Sequence, residues 1–113
     1  MLYNPNWKPK TEVDAVGDLM LRAADYLETH RWGQGNIVLA NGAVCMIGSL
    51  IKVETGKVHS DMGYDWIRQP LTAKAVERIS NYLGDDILPE YWNDQDHRKK
   101  IEVITVLREA AKR

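Results

Sequence analysis

Only one cysteine, Cys45, occurs in the 113 residues, so no disulfide can close within the chain and the fold must stand on packing alone. A single thiol also fits a reducing compartment. Phenylalanine is absent, and prolines number four, two of them (Pro5 and Pro9) within the first ten residues. No apolar run reaches the roughly 18 residues that a membrane-spanning helix needs. The N-terminus lacks the basic start and apolar stretch of a secretion signal. An excess of either charge is missing too: Lys and Arg total 15 against 16 Asp and Glu, a formal net charge of -1. That balance removes any global attraction to nucleic-acid phosphates or to anionic lipid. No repeat with a solenoid-like period is visible. Together these absences lead us to expect an intracellular, cytoplasmic protein with no membrane partner.

What is present is the balance of a folded domain. Hydrophobic residues make up 44% and charged residues 27%, which separates the chain from disordered tails. A chain of this length buries about two thirds of its unfolded surface, enough for one core. Residues 1–10 show no periodicity and read as an extended arm that Tyr3 and Trp7 could pin to the body. Residues 11–113 read as a single helical domain.

Thr11 is placed to cap a first helix, expected from about Glu12 to His30, with Asp14 in its first turn. Val13, Val16, Met20, Ala23, Ala24 and Leu27, with Leu19 beside them, recur at intervals of three and four and make one apolar stripe. Asp18, Arg22, Asp25 and Glu28 fall largely on the other side. Five of the eight glycines then lie between Gly33 and Gly56. Ile37-Val38-Leu39 is a short β-type run, and Asn41-Gly42 has tight-turn chemistry. The segment from Ala43 reads either as a return strand or as a helix from about Val44 to Glu54 that stops near Gly56. Helical spacing of Ala43, Ile47, Leu50 and Ile51 favours the helix. Gly48 within it marks a close approach by a neighbouring element.

Lys57 to Pro70 is irregular, with one turn of helix around Tyr64–Arg68. Thr72 is placed to cap a third helix with the stripe Val76, Ile79 and Leu83, stopped by Gly84. Asp85 to Trp92 reads as a loop fixed by Pro89. Asn93 or Asp94 would cap a last helix reaching about Ala111, with the stripe Ile101, Ile104, Leu107 and Ala111. The expected fold is therefore mainly α: a small bundle of about four helices, with a short Gly-rich turn or minimal β-hairpin between the first two.

The order of several short pieces is itself a pattern. Ala23-Ala24-x-x-Leu27 is followed by Trp32-Gly33-Gln34-Gly35 and by Gly42-x-x-Cys45-x-x-Gly48-x-Leu50. Trp92-Asn93-Asp94 and Glu102-Val103-x-x-x-Leu107-x-x-Ala110 complete it. Over roughly residues 19 to 111 this resembles a small domain family of unknown function, found mainly in actinobacteria and their phages. The resemblance implies that setting and no catalytic residue. It also implies a signature of Trp32, Gly33, Gly35, Gly42, Cys45, Gly48, Trp92, Asn93 and Asp94. Relatives often carry a second cysteine where this chain has Gln34, and Cys-x-x-Gly-Ala where it has Ser49, so two-cysteine chemistry is excluded here.

Cys45 could be a nucleophile at a helix start, activated by His30 or His59, but amid Ala43, Val44, Met46 and Ile47 it reads better as a small buried hydrophobe. His30, His59 and His97 have no metal-ligand spacing; His59-x-Asp61 and Asp94-x-Asp96-His97 are weak matches, so no metal and no cofactor is expected. Trp32-Gly33-Gln34-Gly35 lacks the lysine of a phosphate loop and reads as a helix stop. His97, Arg98, Lys99, Lys100, Arg108, Lys112 and Arg113 could contact nucleic acid, but Asp94, Asp96, Glu102 and Glu109 interleave with them, and a solvated face is favoured, with Glu109 pairing Arg113. The four tryptophans lie outside the stripes. Trp32 and Trp92 read as plugs at helix ends, whereas Trp7 and Trp66, with Tyr3, Tyr64 and Ile67, are candidates for a partner surface. The leading expectation is a non-enzymatic protein-interaction domain, with a host protein as partner if a phage encodes it. A Cys45-dependent enzyme and a nucleic-acid binder are the alternatives.

Overall fold

Asp14 lies in extended backbone (φ -76°, ψ 179°) and its carboxylate accepts the Gly17 amide at 2.7 Å, which satisfies one of the free N–H groups at the start of α1 (Ala15–Thr29). Asp14, expected inside the first turn, is thus the cap itself, while the expected cap at Thr11 and start at Glu12 lie outside the described residues. A carboxylate caps as well as a hydroxyl and adds charge at the positive end of the helix dipole, and Arg78 anchors it at 2.8 Å. The computed structural model describes residues 14–59, 65–84 and 87–113. Thr11, Val13 and the whole arm of residues 1–10, with Tyr3 and Trp7, lie outside them, as do Tyr64 and Asp61.

Four further α-helices follow: α2 (Met46–Thr55), α3 (Pro70–Leu83), α4 (Pro89–Asn93) and α5 (Lys100–Ala110), with a 3-10 turn over Asp65–Arg68. Among the described residues there is no strand. The hairpin alternative reduces to two single-residue bridges, Trp32 with Val44 and Val38 with Val44. Pairing stops there because the chain beyond Val44 enters α2 at once, so Cys45 can still donate its amide to the Ile37 carbonyl (3.1 Å) but nothing after it can extend a ladder. Helix, not strand, is thus the state of residues 46–55, and Gly56 ends it in the left-handed conformation (φ 80°) that glycine adopts without Cβ strain.

The core is built on α1, which packs against α2, α3 and α5. Its stripe is buried as spaced: Met20, Ala23, Ala24 and Leu27 are wholly inaccessible, and Met46, Leu50, Ile51, Ile79, Val103 and Leu107 close over them. In the last helix Ile104, Leu107 and Ala111 are buried as spaced, with Val103, Val106 and Ala110 beside them, but Ile101, expected in the same stripe, is exposed. Asp25 is buried at 3% exposure because Arg108 reaches across from α5 to its carboxylate at 3.1 Å while also pairing Glu28 at 2.8 Å. The long arginine stem lets a charge at the helix surface serve a carboxylate below it.

Three helix starts also differ from expectation. Thr72 does not cap α3: it lies inside the first turn behind Gln69 and Pro70, and Glu54 at the end of α2 does the capping, accepting the Leu71 amide (3.2 Å), the Thr72 amide (2.7 Å) and the Thr72 hydroxyl (2.7 Å). The expected loop of residues 85–92 contains α4, which Pro89 initiates at its first position. Neither Asn93 nor Asp94 caps the last helix: Asn93 ends α4, the chain turns through His97 in the left-handed region (φ 67°), and α5 starts at Lys100. Glu102 closes that start by accepting the Lys99 amide at 2.8 Å.

Candidate functional site

The signature residues that are distant in sequence converge on one side chain. Asn93 is 1% exposed, and its Oδ1 accepts both the Trp32 indole N–H (2.7 Å) and the Met46 amide (3.1 Å). Its Nδ2 donates to the Gly33 carbonyl (3.2 Å) and to Asp94 Oδ1 (2.9 Å). Asp94 Oδ1 also receives the Gly35 amide at 3.0 Å, and Gln34 donates to the carbonyls of Asn93 (2.8 Å) and Gln95 (2.9 Å). A short helix placed late in the chain thus clamps the turn after α1 and the first amide of α2. Every donor and acceptor of the Asn93 amide is used, so the clamp is a rigid wall.

That wall borders a cleft of about 260 Å³. Its lining comes from four places in the chain: Gly35, Asn36 and Ile37 before α2, Cys45 and Ile47 at the start of α2, Trp66 on the 3-10 turn, and Glu90 and Asp94 at the two ends of α4. Helix α2 approaches the 35–37 segment closely, as Gly48 led us to expect: a Cβ at Gly48 would overlap the Ile37 carbonyl oxygen. Its volume is below the ~300–1,000 Å³ of pockets that swallow a drug-sized ligand, so it suits one or two side chains.

Cys45 is the N-cap of α2, and its sulfur accepts the Gly48 amide at 3.3 Å. The position at a helix start would favour a thiolate, yet burial outweighs it. Desolvation pushes the Cys45 thiol up to about 11, with the Asp94 charge acting the same way against the nearby amides. At neutral pH the sulfur is a protonated, 6%-exposed cap. His30 stacks on Tyr26 (centroids 3.9 Å apart) and its Nδ1 lies 2.9 Å from both the Tyr26 carbonyl and the Thr29 hydroxyl. Among the described residues no group of three or more His, Cys, Asp and Glu side chains is placed to hold a metal ion.

The basic residues near the C-terminus are largely engaged within the protein. Arg98 lies over the Trp92 ring at 3.7 Å, donates to the Trp92 carbonyl (2.9 Å) and Gln95 (2.6 Å), and pairs Glu102. Lys100 donates to the His30 carbonyl at 2.7 Å, and Arg108 holds Asp25 and Glu28. Glu109 pairs Lys112, not Arg113, which instead sits over Tyr82 at 5.0 Å.

Of the partner-surface candidates, Trp66 lines the cleft and is half-buried, and Ile67 is 62% exposed beside it. Tyr3, Trp7 and Tyr64 lie outside the described residues. Of the signature residues, Gly35, Cys45 and Asp94 line the cleft, Trp32, Gly33 and Asn93 are joined in the clamp, and Gly48 packs against the Ile37 carbonyl. Gly42 lies apart, in the turn where its amide donates to the Leu39 carbonyl. Sequence reasoning missed Glu90, and with it the exposed Leu88 and Tyr91 on the same element. The Pro89-Glu90 pair is a helix-start signal that a loop assignment had hidden.

The fold and this clamp define a small, mainly helical domain in which α4 locks a turn onto the start of α2. The chain belongs to DUF6197, a family of unknown function, whose model matches residues 11–113. No curated protein and no solved structure matches it. No helix among the described residues is long and apolar enough to cross a membrane.

Proposed function

We propose that this chain is a non-enzymatic binding domain for another protein, and that the cleft behind Trp66 takes a side chain of that partner. The observation that carries the reading is the pairing of a half-buried Trp66 in a small cleft with exposed apolar residues on the two elements beside it: Ile67 on the 3-10 turn, and Leu88 and Tyr91 at α4. A recessed aromatic bordered by apolar residues is the usual build of a binding hot spot. The setting is the cytoplasm of an actinobacterium, and for a phage-encoded copy the partner is a host protein. Two observations weigh against the alternatives. The Cys45 thiol is protonated and capping a helix, which is poor preparation for a nucleophile. The α5 cations are spent on internal partners, which leaves little of a phosphate-binding face.

The test is retention of a host protein on the immobilised full chain, repeated with Trp66→Ala and Ile67→Glu. Trp66 packs on the core, so Ile67→Glu is the variant that separates binding from folding. A partner held by the parent and lost by both variants is the expected result. Equal retention by all three, or retention of nothing, would refute the proposal.

A further inference from the structure

We infer that the segment seated in this cleft carries a lysine or arginine next to its apolar anchor, an inference that rests on the cleft being the binding site. Among the described residues the charges that line the cleft are two carboxylates, Glu90 and Asp94, and no Lys or Arg lines it. They stand four residues apart on α4, joined by the Asp94 amide to the Glu90 carbonyl (3.1 Å), so they share one face as like charges that repel. Glu90 is half-buried, and its carboxylate makes no hydrogen bond or ion pair among the described residues. Asp94 is held through Oδ1 alone, by Gly35 and Asn93, which fixes its direction and leaves Oδ2 open. Neighbouring cations do not neutralise the pair: Arg98 is laid on Trp92 and tied to Gln95 and Glu102, and Lys100 is tied to His30. Two carboxylates with unused oxygens in the lining of a mostly apolar cleft are therefore complementary to a cation whose apolar neighbour packs against Trp66. Arginine fits best, because its flat guanidinium can bridge two carboxylates while its stem lies on the indole.

The probe is a displayed library of random heptapeptides panned on the full chain, with Trp66→Ala and Ile67→Glu as counter-selections. The expected outcome is a set of cleft-dependent peptides enriched in Arg or Lys adjacent to an apolar residue. One such peptide, made synthetically, should bind Glu90→Gln three- to tenfold more weakly than the parent and lose affinity with added salt. Glu90→Gln changes no internal hydrogen bond, so its folding should match the parent by circular dichroism. Cleft-dependent peptides with no enrichment in cations, or with affinity unchanged by Glu90→Gln, would overturn the inference and leave the binding site standing. Peptides indifferent to Trp66→Ala and Ile67→Glu, or none at all, would overturn both.

Discussion

Asn93→Ala should be among the most damaging single substitutions outside the apolar core. It strands three groups at once: the Trp32 indole N–H, the Met46 amide and the Gly33 carbonyl. A buried polar group left without its partner costs about 1–3 kcal/mol. Met46 is wholly inaccessible and takes the full penalty, whereas Trp32 and Gly33 are half-buried and recover part of theirs from water. The sum is about 3–4 kcal/mol, a large share of the ~5–15 kcal/mol that holds a domain of this kind together. Thermal unfolding should fall by about 15 °C. Asn93→Asp isolates the electrostatic part, because it keeps the acceptor for Trp32 and Met46 but turns an oxygen toward the Gly33 carbonyl and Asp94. Burial and the Asp94 charge raise the folded-state pKa of the introduced carboxyl above its unfolded value of about 3.9. A raised acid pKa means the folded state binds the proton more tightly, so stability falls as pH rises from the unfolded pKa through the folded one. In urea denaturation followed by circular dichroism, this variant should approach the parent near pH 4 and lag it increasingly toward pH 7. An Asn93→Ala loss under 1 kcal/mol, or an Asn93→Asp deficit that shrinks with rising pH, would refute the clamp.

Four further outcomes follow from the packing. Glu54→Ala should cost about 1–2 kcal/mol in urea denaturation, since it uncaps α3 and leaves the buried Thr72 hydroxyl without its acceptor. Gly48→Ala should destabilise by about 1–3 kcal/mol despite alanine's higher helix propensity, because the new methyl meets the Ile37 carbonyl. Arg108→Met should destabilise most at neutral pH, where Asp25 is left charged and buried, and progressively less as acid protonates it; burial already holds the Asp25 pKa above normal against the pull of Arg108. Cys45 should resist iodoacetamide at pH 7 in the native protein, its thiolate fraction on the order of 10⁻⁴, and react promptly in denaturant; fast native labelling would contradict its placement.

Legibility tracked the range of the interactions. The α1 stripe could be read directly, since Met20, Ala23, Ala24 and Leu27 are set by a 3.6-residue period and nothing else. The stops at Gly56 and Gly84 were equally plain, being local backbone chemistry. Thr72 misled because the rule that caps sit just before their helix assumes a local partner, and here Glu54 supplies the carboxylate from another helix. Asp25 misled for the same kind of reason: helical spacing puts it on the polar side with Asp18, Arg22 and Glu28, and its burial follows only once Arg108 reaches it from α5. Asn93 and Asp94 were singled out in the chain as a signature and as a helix cap, and only the signature assignment leads to their contacts with Trp32 and Gly35.

A mainly helical, single-cysteine fold with breaks at glycine and proline is already dictated along the chain, because periodicity, propensity and turn chemistry act within a few residues. That α4 exists as a clamp, that Cys45 is a buried cap, and that Glu90 and Asp94 line one cleft with Trp66 follow only from the packing. Those outcomes depend on pairings across tens of residues, where a single amide or carboxylate finds its partner only once the helices have packed.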